Sequence, residues 1–329
     1  MFFVNMMKIL ISGANGFIGS RLSLLLSQKA YEITALVRET ADCSILSKNL
    51  KCRQIDYNNT AELEALFENH DIFIHCAGQT KSKSFDDICK TNVDLTQKLI
   101  NLANNSKNLK QFIFLSSQAA GGPGENNLPV QESDVPKPIS WYGKSKLLAE
   151  KIIRKDLQKP WTIIRPASVY GPGDKDFLFY FQFIEKHMAV HPGLSDKYVS
   201  LIYIDDLIKI IESCILNENA CNQIFNAGDG NAYTIKNFID NLALAMEKIV
   251  FPFSVPDSVI SFTGLVAEMF GRLQKKLPVL NRQKAGELKN KNWLLNNKKA
   301  VTILNFKPER KLLDNLSITY KWYKKNKWL

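Results

Sequence analysis

The sequence has little of what breaks or staples a chain. Its 16 glycines and 12 prolines in 329 residues are too few for a collagen-like, linker-dominated or largely disordered protein. Six cysteines, at 43, 52, 76, 89, 214 and 221, include no C-x-x-C pair. The four histidines, at 70, 75, 187 and 191, are not spaced with them as zinc ligands would be, so no metal site is expected. The opening MFFVNMMKILISG has neither a basic leader nor a small-residue cleavage site. Reduced thiols in a cytoplasmic protein are therefore the expectation. No run of about 18 residues is apolar without charge or proline. The nearest, Ile249 to Phe270, is interrupted by Pro252, Pro256, Asp257 and Glu268, and no membrane span is expected.

What remains is an ordinary globular composition, 45% hydrophobic and 23% charged, long enough for about two domains. The net charge of +11 is unevenly placed. Arg272 to Leu329 holds 16 Lys or Arg against 3 Asp or Glu, which leaves the preceding residues slightly acidic on balance. Such a region can meet nucleic acid, acidic lipid or an anionic substrate. Here the lysines are scattered among apolar residues without a nucleic-acid motif, so a solvated face is expected and no nucleic-acid partner.

The first half alternates β-branched runs with helical stretches. Strands are expected at Lys8 to Ser12, Tyr31 to Val37, Cys52 to Ile55, Asp71 to His75, Gln111 to Ser116 and Trp161 to Arg165. Helices are expected at Phe17 to Lys29, Thr60 to Glu68, Ser84 to Asn105 and Tyr142 to Asp156. Continuous apolar strands alternating with helices specify a parallel sheet covered on both faces. The fold class is thus α/β, a doubly wound parallel sheet of Rossmann type with a smaller, mostly helical C-terminal substrate domain. The boundary is set at 172, with residues 1–172 as the nucleotide domain and 173–329 as mainly the substrate domain. Parts of 199–226, Ser200 to Ile204 and Gln223 to Asn226, are expected to extend the sheet.

Gly13-Ala14-Asn15-Gly16-Phe17-Ile18-Gly19 follows the first strand and opens a helix. Glycine is needed where the chain turns sharply and where backbone approaches a pyrophosphate closely. A helix beginning at Phe17 would aim free N–H groups at the phosphates. The residue closing the second strand then selects the cofactor. Arg38 offers a planar fork for the extra phosphate of NADP, while the adjacent Glu39 keeps NAD open. Asp56, after the third strand, suits either the adenine amino group or a loop preceding a helix.

Tyr142 and Lys146 stand four apart at a helix start and share a face. An ammonium beside a phenol lowers its pKa from about 10 towards the range a general acid or base needs. Ser117 ends a strand at the carboxyl edge of the sheet, where ligands of such folds bind.

These motifs together resemble the extended short-chain dehydrogenase/reductase family, in its NAD(P)-dependent epimerase/dehydratase branch. SGANGFIG is similar to that family's T-G-x-x-G-F-I-G, with Ser12 for threonine. His75-Cys76-Ala77-Gly78 resembles the H-x-A-G segment that lines the cofactor ribose, and Thr91-Asn92-Val93 the T-N-V whose asparagine supports the active site. Ser116-Ser117 resembles the catalytic-serine segment, and Tyr142-Gly143-Lys144-Ser145-Lys146 the Y-G-x-S-K core. Arg165-Pro166 through Pro172 and Tyr203-Ile204-Asp205-Asp206-Leu207 resemble R-P-x-x-V-Y-G-P and Y-V-D-D-L. The resemblance implies hydride exchange between a nicotinamide and a hydroxyl or ketone carbon of a small substrate. It makes Tyr142 the acid/base and Lys146 its cation and ribose ligand. Ser117 orients the substrate oxygen, and Asn92 steadies a water or local backbone. Gly13, Asn15, Gly16, Phe17, Ile18, Gly19, Arg38, Asp56, Ala77, Gly78, Lys146 and Pro166 then form the cofactor cleft. Relatives also imply a homodimer.

Sugar-nucleotide members carry an arginine for the diphosphate where this chain has Val199. That departure and Arg38 favour an NADP-dependent oxidoreductase of the 3β-hydroxysteroid dehydrogenase or dihydroflavonol reductase kind. A redox-neutral nucleotide-sugar epimerase or dehydratase with tightly bound NAD is the alternative. A non-enzymatic dinucleotide sensor is the third class, and four filled catalytic positions argue against it. The apolar face of Pro256 to Leu273, followed by Lys275 and Lys276, suits a small-domain core, a lid, or a face resting on a membrane surface. His187 and His191 are expected in loops or at the surface. Trp322 to Leu329 is expected to pack the last helix.

Overall fold

The computed structural model describes residues 6–44, 46, 50–193, 195–259, 286–287 and 289–329. The apolar face expected over Pro256 to Leu273 lies, from Ile260 onward, outside the described residues.

The first part of the chain runs β1 (Met7–Ser12), α1 (Phe17–Ser27), β2 (Tyr31–Arg38), β3 (Lys51–Ile55), α2 (Thr60–Glu68) and β4 (Ile72–His75). It continues with α3 (Phe85–Cys89), a π-helical turn (Lys90–Asp94), α4 (Leu95–Asn105) and β5 (Gln111–Leu115). Next come α5 (Gln118–Gly121), α6 (Trp141–Asp156), β6 (Trp161–Pro166), β7 (Ser168–Tyr170) and α7 (Leu178–Glu185). The other half contains β8 (Met188–Pro192), β9 (Tyr198–Val199), β10 (Leu201–Tyr203), α8 (Ile204–Ser213) and β11 (Gln223–Ala227). It ends with β12 (Tyr233–Thr234), α9 (Ile235–Ala245), β13 (Phe251–Val255), β14 (Asn292–Trp293), α10 (Lys298–Leu304) and α11 (Leu312–Lys325).

Seven strands form one parallel sheet in the order β11-β6-β5-β4-β1-β2-β3. Alternate residues of each strand supply opposite faces. Ile9, Ile11, Ile72, Ile74 and Ile164 join one buried cluster with Leu22 and Leu26 of α1 and Leu207 and Ile211 of α8. Leu10, Phe73, Phe112, Phe114 and Ile163 join the other with Phe67, Leu99, Ala149 and Ile153 of α2, α4 and α6. Both faces are therefore dry, which explains the continuous apolar strands. The strand order reverses between β1 and β4, and that switch point opens the crevice where such sheets hold ligands.

Several expectations are corrected. Of the segments between 199 and 226, Gln223–Ala227 joins the large sheet beside β6. Leu201–Tyr203 instead pairs with β7 in a separate two-stranded ladder. The second half is mostly helical as expected, with short strands added: β9 is flanked by β12 and β14, and β8 pairs with β13. His191 lies in β8 rather than a loop. The helix over Ser84 to Asn105 is broken into α3, the π-helical turn and α4. Cys43 and Cys52 are brought together across the β2–β3 connection, a pairing not expected from the sequence. Motif spacing does not report that Cys43 meets Cys52 of β3. Among the described residues no helix is long and apolar enough to cross a membrane.

Candidate active site

The glycine turn is built by close approach. Gly13 has φ +68°, and a Cβ there would sit 2.6 Å from the backbone N and Cα of Ala77. Gly16 donates its N–H to Gly13 O at 3.0 Å. A Cβ on Gly19 would collide with Gly13 O. The turn delivers α1 with no side-chain cap and no acidic residue in its first turn. The first-turn N–H groups at Phe17 and Ile18 therefore face the crevice unneutralised. Ala77 and Gly78 close its other wall.

Asn92 holds that wall in place. It is 1% exposed. Its Oδ1 accepts from Gln79 N at 2.7 Å, and its Nδ2 donates to Gln79 O and to Ser145 Oγ, each at 2.9 Å. Ser145 donates in turn to Tyr142 O at 2.8 Å. Of the two roles expected for Asn92, the structure shows the local-backbone one. The π-helical turn is what aims it inward from between α3 and α4.

Ser117 caps α5, accepting from Ala119 N at 3.1 Å, and its hydroxyl lies close enough to the Tyr142 phenol to act on its pKa. Burial pushes Tyr142 up to about 12, Asp176 and Glu287 push in the same direction, and the Ser117 contact pulls down. Lys146 is 3% exposed. It donates to Leu115 O at 2.8 Å and stands 4.5 Å from the Phe114 ring centroid. Burial pulls it down to about 8, with Cys76 and Glu150 acting against that shift. In this structure the Lys146 ammonium is turned to Leu115 O, and burial is the largest influence on the Tyr142 phenol.

The residues fit a nicotinamide dinucleotide. Gly78 is exposed, and a Cβ on it would stand 3.0 Å from Lys146 Nζ, so a larger residue there would crowd the ammonium. Pro166 ends β6 at the same carboxyl edge. Arg38 ends β2, exposed and beside Tyr57. Asp56 is exposed and accepts from Asn58 N at 2.9 Å, the loop role of its two alternatives. His75, by contrast, is a core residue. It lies between Ser12 Oγ at 2.7 Å and Thr96 Oγ1 at 3.1 Å, held neutral by burial that pulls it down to about 3.

Three neighbours escaped sequence reasoning. Gln118 Nε2, next to Ser117, is buried without a partner among the described residues. Asp176 and Glu287 act on Tyr142 from distant parts of the chain, which no local spacing could signal. At Val199, where an arginine would meet a diphosphate, the chain places a residue only 9% exposed, paired with Tyr233 and Trp293.

Comparison with known proteins gives the same frame. The NAD dependent epimerase/dehydratase family description matches residues 9–228. UDP-glucose 4-epimerase of Vibrio cholerae is 29% identical over 277 residues, covering 80% of this chain and 83% of its own. Sterol-4-alpha-carboxylate 3-dehydrogenase, decarboxylating, of Dictyostelium discoideum is 27% identical over 322 residues, covering 92% and 96%. UDP-glucuronic acid 4-epimerase from Bacillus cereus, solved with UDP-glucuronic acid and NAD, superposes with TM-score 0.76 at 24% identity, covering 97% of this chain and 100% of that one. That structural likeness shows the fold. With the glycine turn, Ser117, Tyr142, Lys146 and Asn92 gathered on one crevice, the chain belongs to the NAD dependent epimerase/dehydratase family, within the extended short-chain dehydrogenases/reductases.

Proposed function

We propose that the protein is a redox-neutral epimerase or dehydratase of a nucleotide-linked sugar that keeps its nicotinamide dinucleotide bound between turnovers. The observation that carries the reaction class is the grouping of Ser117, the Tyr142 phenol and buried Lys146 at the switch-point crevice. The likeness to UDP-glucose 4-epimerase supports the substrate class and moves the balance from the net reductase favoured by sequence to its alternative.

The bound dinucleotide supplies a reversible two-electron acceptor. The α1 N-terminus holds its pyrophosphate, Arg38 its adenosine end, and Gly78 and Lys146 its nicotinamide half. Ser117 positions the substrate oxygen. Tyr142, protonated in this structure, donates to a carbonyl oxygen in one direction and receives the hydroxyl proton in the other. Lys146, which here donates to Leu115 O, would supply the cation for the phenolate and a donor for the ribose of a bound dinucleotide. Asn92 keeps the 77–79 wall fixed through both half-reactions.

A second reading is a dehydrogenase of a less charged alcohol or ketone. Buried Val199 favours it, because no arginine stands where a diphosphate would be met.

The test is to release and identify any bound nucleotide from the purified protein, then incubate it with UDP-glucose or UDP-galactose. Copurified NAD with interconversion and no net NADH supports the proposal. An empty protein that consumes added NADPH, with that preference lost in Arg38→Ala, overturns it in favour of the second reading.

A further inference from the structure

Part of the basic excess of the C-terminal region lies on α11. Ile318, Lys321, Trp322 and Lys325 follow i, i+3, i+4, i+7 spacing, so they form one helical stripe. That stripe faces Arg21, Pro172, Tyr203 and Arg310 across an open groove of about 450 Å³. The volume is that of a site for a small organic ligand.

The charges of the groove do not cancel. Its carboxylate, Asp205, is fully engaged by Arg21 through two hydrogen bonds of 2.7 and 2.8 Å. Arg310 meets Glu309 at 3.2 Å, but Glu309 is shared with Lys209 at 2.8 Å. Lys321 and Lys325 have no ion-pair partner among the described residues, although Lys324 between them pairs with Glu185 at 3.1 Å. Cations from three separate parts of the chain thus converge with little opposing charge, a geometry that concentrates anions.

A second observation points to a ligand. Tyr203 lines the groove with its residue 97% removed from solvent (3% exposed), and its hydroxyl, unpaired among the described residues, reaches solvent rather than being buried. A phenol held in this way offers a fixed donor to a ligand. The half-buried Trp322 ring, braced against Trp328 at 5.0 Å, gives an apolar wall beside it.

We propose that this groove binds a phosphorylated small molecule, its phosphate held by Lys321, Lys325 and Arg310 with a hydrogen bond from Tyr203, and its organic part against Trp322 and Pro172. The groove is distinct from the glycine turn, since Arg21 lies one helical turn beyond Phe17 on α1. The inference does not depend on which substrate the crevice takes.

Calorimetric titration with inorganic pyrophosphate, on protein already saturated with nicotinamide dinucleotide so that the glycine turn is filled, tests it. Saturable binding is expected, weakened at least about tenfold in the Lys321→Glu/Lys325→Glu double variant and less in Tyr203→Phe. Affinity for the dinucleotide should be the same in the double variant, which separates the groove from the crevice. Absence of saturable binding, or binding indifferent to the double variant, overturns the proposal. Sedimentation with phosphatidylglycerol vesicles separates the two sources of phosphate. Vesicle binding lost in the double variant, without pyrophosphate binding, would assign the groove to lipid headgroups and reject the small molecule.

Discussion

At the scale of single residues, Lys146 is where burial and charge conflict most. Its folded pKa is about 8 against an ordinary 10.5, so between those values the unfolded chain holds a proton that the fold does not. Stability from this group therefore rises with pH across that window, and the penalty is complete below pH 8. Lys146→Met removes the penalty but leaves Leu115 O without its donor, a cost of about 1 kcal/mol. The net expectation is a variant more stable by about 1–3 kcal/mol at pH 7, with the gain shrinking towards pH 10.5. Urea unfolding at both pH values measures this, and a loss of stability at pH 7 would contradict it. Tyr142→Phe should leave unfolding nearly unchanged and cut kcat by about 10²–10⁴-fold. Spacing and a strand end pointed to Ser117, Tyr142 and Lys146 in the sequence, and the family resemblance to Asn92. Their protonation states were not legible, because desolvation depends on what packs around a group rather than on its neighbours in the chain.

Among the elements, α6 matters most, because it carries Tyr142 and Lys146 and must sit in fixed register against the sheet. Glu150 fixes that register. It is 1% exposed and accepts from Arg165 of β6 at 2.9 and 2.6 Å, while Ser116 at the end of β5 also donates to it. Removing one partner of a buried pair strands the other charge. Glu150→Ala should destabilise the protein by about 3–5 kcal/mol, whereas joint replacement of Glu150 and Arg165 by apolar residues of similar size should cost far less. Thermal unfolding of the single and double variants decides, and equal losses would mean the pair is not the tie. Arg165 stood in a recognised motif, but its partner could not be read from it, since the pair joins a helix to the strand that follows. The boundaries of α2 and β6 were close to readable from apolar periodicity. The π-helical turn was not, because one extra residue per turn leaves the pattern over Ser84 to Asn105 helical.

For the whole molecule, the question is how the last helix is joined to the sheet half. Leu312, Leu316 and Tyr323 of α11 are buried in the same cluster as Ile9 and Ile11 of β1. The expected packing role of the C-terminal aromatics is seen in Tyr323 and Trp328, whose rings stack at 5.7 Å. Tyr323 also donates to Asp174 O at 2.7 Å. The Asp174 side chain accepts from Asp176 N at 2.9 Å and Phe177 N at 2.7 Å, which organises the start of α7. The sheet half was legible as a pattern of alternating elements. This junction was not, because it brings together residues 149 apart in the chain. It should also be sensitive to pH. Burial raises the Asp174 carboxyl to about 7 from 3.8, outweighing its backbone donors. Between those values the fold retains a proton that the unfolded chain releases, so this group's contribution to stability falls as pH rises and is fully lost above pH 7. Asp174→Asn cannot ionise and should escape that decline. Relative to the parent, the variant should therefore gain about 2–4 kcal/mol between pH 4 and pH 8, whatever offset it shows at pH 4. Parallel stability–pH curves for the two proteins would show that Asp174 does not hold its proton and that the junction is indifferent to its charge.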